Sequence, residues 1–143
     1  MSSITDFPAR GRITAISDDK VTFQPTNTNY ELSLTIPKDF AGKVGSLVDG
    51  IIRVAARKVY TVPSGGNFVA PIFGPPRTIQ GRVKFVDQKQ LVIQAGVPIV
   101  VDLPSEDSAM DLHAGGIGVG SLINVVGLPG ARFELVGVAA GQG

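Results

Sequence analysis

Residues 11–24 read GRITAISDDKVTFQ, and residues 81–94 read GRVKFVDQKQLVIQ. Both stretches open with Gly-Arg, keep the same apolar spacing and close on Gln. Outward from this pair the likeness continues. Leu32-Ser33-Leu34-Thr35-Ile36-Pro37 meets Ile99-Val100-Val101-Asp102-Leu103-Pro104. Val44-Gly45-Ser46-Leu47 meets Val119-Gly120-Ser121-Leu122, and Arg57-Lys58-Val59-Tyr60 meets Arg132-Phe133-Glu134-Leu135. The offset drifts between 67 and 75, as loop insertions would make it. Blocks repeated in one order mark an internal duplication. Two copies fall short of the three or so that a solenoid needs.

Each copy reads as strands. Val21 and Phe23 alternate with Thr22 and Gln24, while Leu32, Leu34 and Ile36 alternate with Ser33 and Thr35. A period of two marks a half-buried strand. Asp18-Asp19-Lys20 and Asp87-Gln88-Lys89-Gln90 are polar turns between the first strand and the second. The expected meanders cover 10–17, 20–25 and 30–36, then 79–87, 90–95 and 97–103. Proline ends the third strand in both copies. PSEDSAMDLHAGG (104–116) then offers a capping hydroxyl, acids for a first turn and a closing glycine. That pattern predicts a short helix near 106–113. PKDFAG (37–42) allows about one turn. Fourth and fifth strands are expected near 47–55 and 57–62, and near 121–127 and 131–137.

The fold class is therefore all-β: two tandem five-stranded units, each with a short helix or turn between its third and fourth strands. This order resembles the OB-fold, a five-stranded, partly open Greek-key barrel. VGSLVDGIIRVAARKVYTV (44–62) is also similar to the last two strands of TOBE-type barrels and of RNA-binding OB domains. The resemblance implies one barrel over 8–62 and a second over 79–138. Between them PSGGNFVAPIFGPPRT (63–78) reads as a connector, with proline setting extended backbone and glycine setting turns. Its Asn67–Ala70 segment can add a hairpin strand or swap onto a neighbour. Phe68, Ile72 and Phe73 are too apolar for a free linker and are expected to pack.

The two units differ on their outward positions. Thr22, Gln24, Ser33 and Thr35 make the first polar, whereas the second carries Val92 and Val100. A sheet apolar on both faces is usually covered. The second unit is therefore expected to pack on the first, on the connector or on another chain.

Composition narrows the chemistry. Net charge is +1, from 13 Lys and Arg against 12 Asp and Glu. Electrostatic capture of a polyanion would need local clustering. There is no cysteine, which removes disulfides, thiolate metal sites and a thiol nucleophile. No apolar run approaches the ~18–20 residues of a membrane span, and the first residues lack the pattern of a secretory signal. The expectation is a soluble, cytoplasmic chain with no membrane partner.

His113 is the only histidine. Ser105, Ser108, Asp107 and Asp111 share its short segment, so they cannot approach one reacting atom from the separate directions a triad needs. It reads as an imidazole at a helix end. The glycine-rich 113–120 enters a strand instead of opening a helix, unlike a phosphate-binding loop. No catalytic residue, metal ligand or cofactor is assigned.

Two surfaces remain. Val92, Val100, Phe68, Ile72 and Phe73 form the candidate protein interface. Arg10, Arg12, Lys20, Arg53, Arg57 and Lys58, with Tyr30 and Tyr60 as stacking platforms, form a candidate single-stranded nucleic-acid face on the first barrel. Arg12/Arg82, Gln24/Gln94 and Arg57/Arg132 recur at matching places. They mark either a twofold-related site or edge strands kept charged against aggregation. The expected function is a non-enzymatic assembly or scaffold module that binds protein, including copies of itself. Nucleic-acid binding and TOBE-like binding of a small oxyanion are the alternatives.

Overall fold

The computed structural model describes residues 7–87, 89–103, 110, 111 and 117–138. Among them there are twelve strands and no helix. The strands are β1 (Ala9–Ile16), β2 (Lys20–Pro25), β3 (Glu31–Thr35), β4 (Leu47–Thr61), β5 (Phe68–Ala70) and β6 (Phe73–Gly74). They continue as β7 (Thr78–Val86), β8 (Gln90–Gln94), β9 (Pro98–Asp102), β10 (Met110–Asp111), β11 (Leu122–Gly127) and β12 (Arg132–Val138). All belong to one mixed sheet.

The duplication extends to the backbone. β1 pairs with β2, and β7 with β8, each antiparallel and each with a register shift at the same place, between Ile13 and Ala15 and between Val83 and Phe85. Gly11 and Gly81 let these hairpins close: a Cβ on either would run into the carbonyl oxygen of Gln24 or Gln94 respectively. That accounts for the shared glycine of the opening motif. The Gly-Ser turns match as well. Gly45 N donates to Ile13 O at 2.7 Å and Gly120 N to Val83 O at 2.8 Å. Both glycines adopt positive φ, +89° and +94°, where a side chain is strained.

β4 organises the rest. It is a single strand of 15 residues, where two strands near 47–55 and 57–62 were expected. No Gly, Pro, Asn or Asp lies between Ile51 and Thr61, so nothing there favours reversing the chain. One edge of β4 carries β12 (Val138↔Val48 to Arg132↔Arg53) and then β11 (Gly127↔Ala56 to Ile123↔Thr61), both antiparallel. The other edge carries β1, then β9 in parallel, then β10.

Two closed circuits of pairing follow. The first runs β1–β2–β3–β12–β4 and back to β1. The second runs β7–β8–β9–β4–β11 and back to β7. In each, the parallel contact joins the third strand of one repeat to the last strand of the other. The repeats have exchanged their fifth strands.

Register also corrects the sequence alignment at this point. Thr35 and Asp102 are the matching ends of β3 and β9; Thr35 lies beside Arg132 and Asp102 beside Ala55. The structural equivalent of Arg132 is therefore Ala55, and Arg57 does not match it.

A main core runs through both circuits, with Ile13, Phe23, Leu34, Ile52 and Phe133 of the first continuous with Val54, Val59, Ile79, Leu91, Ile93, Val101 and Ile123 of the second. Phe133 stacks against Phe23 at 4.7 Å between ring centroids and meets Phe40 edge-on at 6.2 Å. Gly50 leaves the room for the Phe133 ring. Since β4 has neighbours on both faces, Gly50, Ile51 and Ile52 are all buried. Ile52 enters the main core, and Ile51 enters a second cluster with Val92 and Val100, flanked by Phe7 and Phe85.

The helix expected near 106–113 falls outside the described residues, except that Met110 and Asp111 are extended and pair with Val59 and Tyr60. Residues 38 and 39 form a turn, with Phe40 N donating to Pro37 O at 3.2 Å. The connector is structured: β5 lies on β7, and β6 lies on β3.

Candidate functional site

The recurring arginine pair has a local explanation. Arg12 Nη1 donates to Gly45 O, and Arg82 Nη1 donates to Gly120 O at 2.9 Å. Each guanidinium ties the first strand of its repeat to the Gly-Ser turn before the fourth. Neither a twofold-related binding site nor protection of a strand edge is needed to explain the match. Gln24 and Gln94 each lie opposite the arginine of their own repeat across the hairpin.

The cations assigned to one nucleic-acid face are dispersed. Arg10 and Arg12 share a shallow depression of about 430 Å³ with Gln24, Thr26, Asn27 and Leu47. Arg10 is held by Asp49 at 2.9 Å and 3.2 Å, which raises its pKa, chiefly through the side-chain hydrogen bond. Lys20 lies elsewhere, opposite Thr35. Arg57 and Lys58 are exposed on the half of β4 that completes the second circuit. Tyr30 and Tyr60 are committed to structure. Tyr30 Oη donates to Ala95 O at 3.2 Å and accepts from Val69 N at 3.1 Å. Tyr60 Oη accepts from the buried Asn124 Nδ2 at 2.7 Å.

Arg53 sits where the repeats cross. It donates to Asp102 at 3.0 Å and to Glu134 at 3.1 Å, and Arg132 approaches Asp102 at 3.7 Å. Gln90 Nε2 also donates to Asp102, at 3.1 Å. Arg53 and Arg132 face each other across the ribbon, so the two carboxylates separate like charges. Burial by itself lowers the Arg53 pKa; Glu134 and Asp102 more than reverse that, leaving it above the ordinary arginine value. This cluster was not read from the sequence. The signal for it was the difference between repeats, Asp102 where the first has Thr35.

The candidate protein interface divides in two. Val92 and Val100 are fully buried, covered by Ile51 with Phe7 and Phe85. The cover is the chain's own β4, so these two valines offer nothing to a second chain. Phe68, Ile72 and Phe73 do not pack as expected: they are 37%, 47% and 61% exposed. Only Val69 of this segment turns into the core. Among the described residues β5 pairs with β7 alone and β6 with β3 alone, so both short strands are edges.

Beside β6 a second depression, about 210 Å³, is lined by Lys20, Ser33, Thr35, the segment Pro75–Arg77 and the loop Gly127–Ala131. It was not anticipated from the sequence. Its wall belongs to both repeats, and only strand exchange brings them together.

His113, Ser105, Ser108 and Asp107 lie outside the described residues, and Asp111 is placed on β10. Among the described residues no three His, Asp or Glu side chains gather as a metal-binding group, and no helix is long and apolar enough to cross a membrane. No protein-family model, curated protein or solved structure matches the chain.

Proposed function

We propose that the chain is a non-enzymatic assembly module, built of two OB-like barrels with exchanged fifth strands, that associates with copies of itself. The strand order, and the parallel contact between third and fifth strands in each circuit, support the barrel reading. The observation that carries the function is the exposure of Phe68 on the edge strand β5, Phe73 on the edge strand β6 and Ile72 in the bend between them. An exposed edge with apolar side chains is a template for strand addition. A twofold contact lets one patch meet its own copy, and a net charge of +1 opposes this little.

Such a small patch gives weak self-association, with a dissociation constant on the order of 10–100 μM. Sedimentation over that range is expected to show a reversible dimer, and Ile72→Ser with Phe73→Ser is expected to abolish it without changing the melting temperature. A wild-type monomer at about 1 mM would refute the reading.

Nucleic-acid binding has less support, because Arg10 and Arg53 are neutralised within the chain and both tyrosines are engaged. Labelled oligo-dT at low salt is expected to show no anisotropy change at about 50 μM protein, within the range where even non-specific binders saturate. A salt-sensitive rise would restore that reading. The oxyanion alternative predicts a melting shift with molybdate.

A further inference from the structure

The duplication places two versions of one junction in the same molecule, and the chain fills only one of them. In the second circuit Val100 lies beside Arg53 and Asp102 beside Ala55. The Arg53 guanidinium occupies the junction, bonded to the Asp102 carboxylate, which also accepts from Gln90. Ile51 closes the flank over Val92 and Val100.

Register gives the equivalents in the first circuit. Lys20 replaces Gln90, each opening the second strand opposite the end of the third. Ser33 replaces Val100 and Thr35 replaces Asp102. Arg132 is the one residue of β12 in register with β3, beside Thr35; the chain before it, where β4 carries Arg53 and Ile51 in the second circuit, is here a loop holding Gly130 and Leu128. A Cβ on Gly130 would meet nothing within 4 Å, and Leu128 is exposed. The filling groups are absent, and the result is the cleft of about 210 Å³. Its lining carries two cations, Lys20 and Arg77, two hydroxyls, and no carboxylate. No carboxylate among the described residues pairs with either cation.

We propose that this cleft binds a small organic carboxylate, seated where the Asp102 carboxylate sits in the second circuit. Lys20 stands where Gln90 donates to that carboxylate, and adds a full charge. Arg77 supplies a planar fork suited to a carboxylate, and the Ser33 and Thr35 hydroxyls are further donors. Pro75, Pro76, Leu128 and Pro129 line the same space with apolar surface for a short hydrocarbon body. The carboxylate can belong to a free acid or to the C-terminus of a polypeptide. The assignment does not depend on self-association.

Amide chemical shifts of the full chain, titrated with isovalerate, test it. Isovalerate is expected to move the amides of Lys20, Ser33, Thr35, Gly127, Leu128, Gly130 and Ala131 with half-saturation on the order of 1 mM. Lys20→Gln, which installs the residue of the other repeat at an exposed site, and Arg77→Gln are each expected to weaken binding at least about fivefold, the loss of one charge-assisted contact. Tighter binding of N-acetylleucine than of isovalerate would identify a polypeptide C-terminus as the source; the reverse order would identify a free acid. The proposal is overturned by no shift at about 20 mM, by an equal response to neutral isovaleramide, by equal affinity for inorganic phosphate, or by undiminished binding in both variants.

Discussion

Phe133→Ala is expected to lower the stability of the whole chain by about 3–5 kcal/mol, the usual cost of removing a buried aromatic ring. Phe133 belongs to the second repeat but completes the first circuit, where it touches Phe23 and Phe40 and fills the space left by Gly50. With strands exchanged, neither circuit survives loss of the other, because β4 is a member of both. Urea unfolding followed by probes in each repeat is expected to give one transition, with the midpoint lowered and the slope unchanged. Two separate transitions, with the second repeat unaffected, would contradict the shared-strand architecture.

Arg53→Ala is expected to cost about 2–3 kcal/mol, somewhat less than the loss of a partner from a fully buried pair because both carboxylates keep some contact with water. The Arg53 side chain is 11% exposed and holds Asp102 and Glu134 at once. Its removal leaves two carboxylates near each other and an empty junction. Lysine is expected to recover only part of the loss, since one ammonium cannot reproduce two directed guanidinium contacts. Because the folded-state pKa of Arg53 is raised, its contribution is fully present at neutral pH, and on the alkaline side fades only as pH climbs through a value above the ordinary arginine range. Denaturation midpoints at pH 7 would check the size. A change within the error of an exposed pair such as Arg10–Asp49 would show that the junction is not a stability element.

Much of the fold was legible because its determinants are local. Alternation at Val21–Gln24 and Leu32–Ile36 marked strands that form at those positions. Gly11, Gly81, Gly45 and Gly120 recur because each repeat needs the same close approach or the same positive φ. The break expected after residue 55 was an error of analogy. It placed a hairpin where an isolated OB-like unit would have one, over a stretch without turn residues.

The candidate sites were less legible. Val92 and Val100 were recognised as covered positions, but nothing local says that Ile51 supplies the cover. Arg12 and Arg82 looked like surface charges, and only the fold places each beside a glycine carbonyl. The Lys20 cleft needs residues more than a hundred positions apart in the chain.

By itself the sequence determined the repeat, the strand type, the hairpins that open each repeat and the special glycines, since period-two alternation and backbone sterics act over a few residues. Only the tertiary structure decided which repeat each fifth strand completes. Both repeats offer a third strand with an equivalent free edge, so local preference cannot choose between them. β4, having no residue at which to turn, runs on into the second circuit and fills its fifth place. β12 then has only the first circuit left to close, and the filled junction at Arg53 and the open one at Gly130 follow from that.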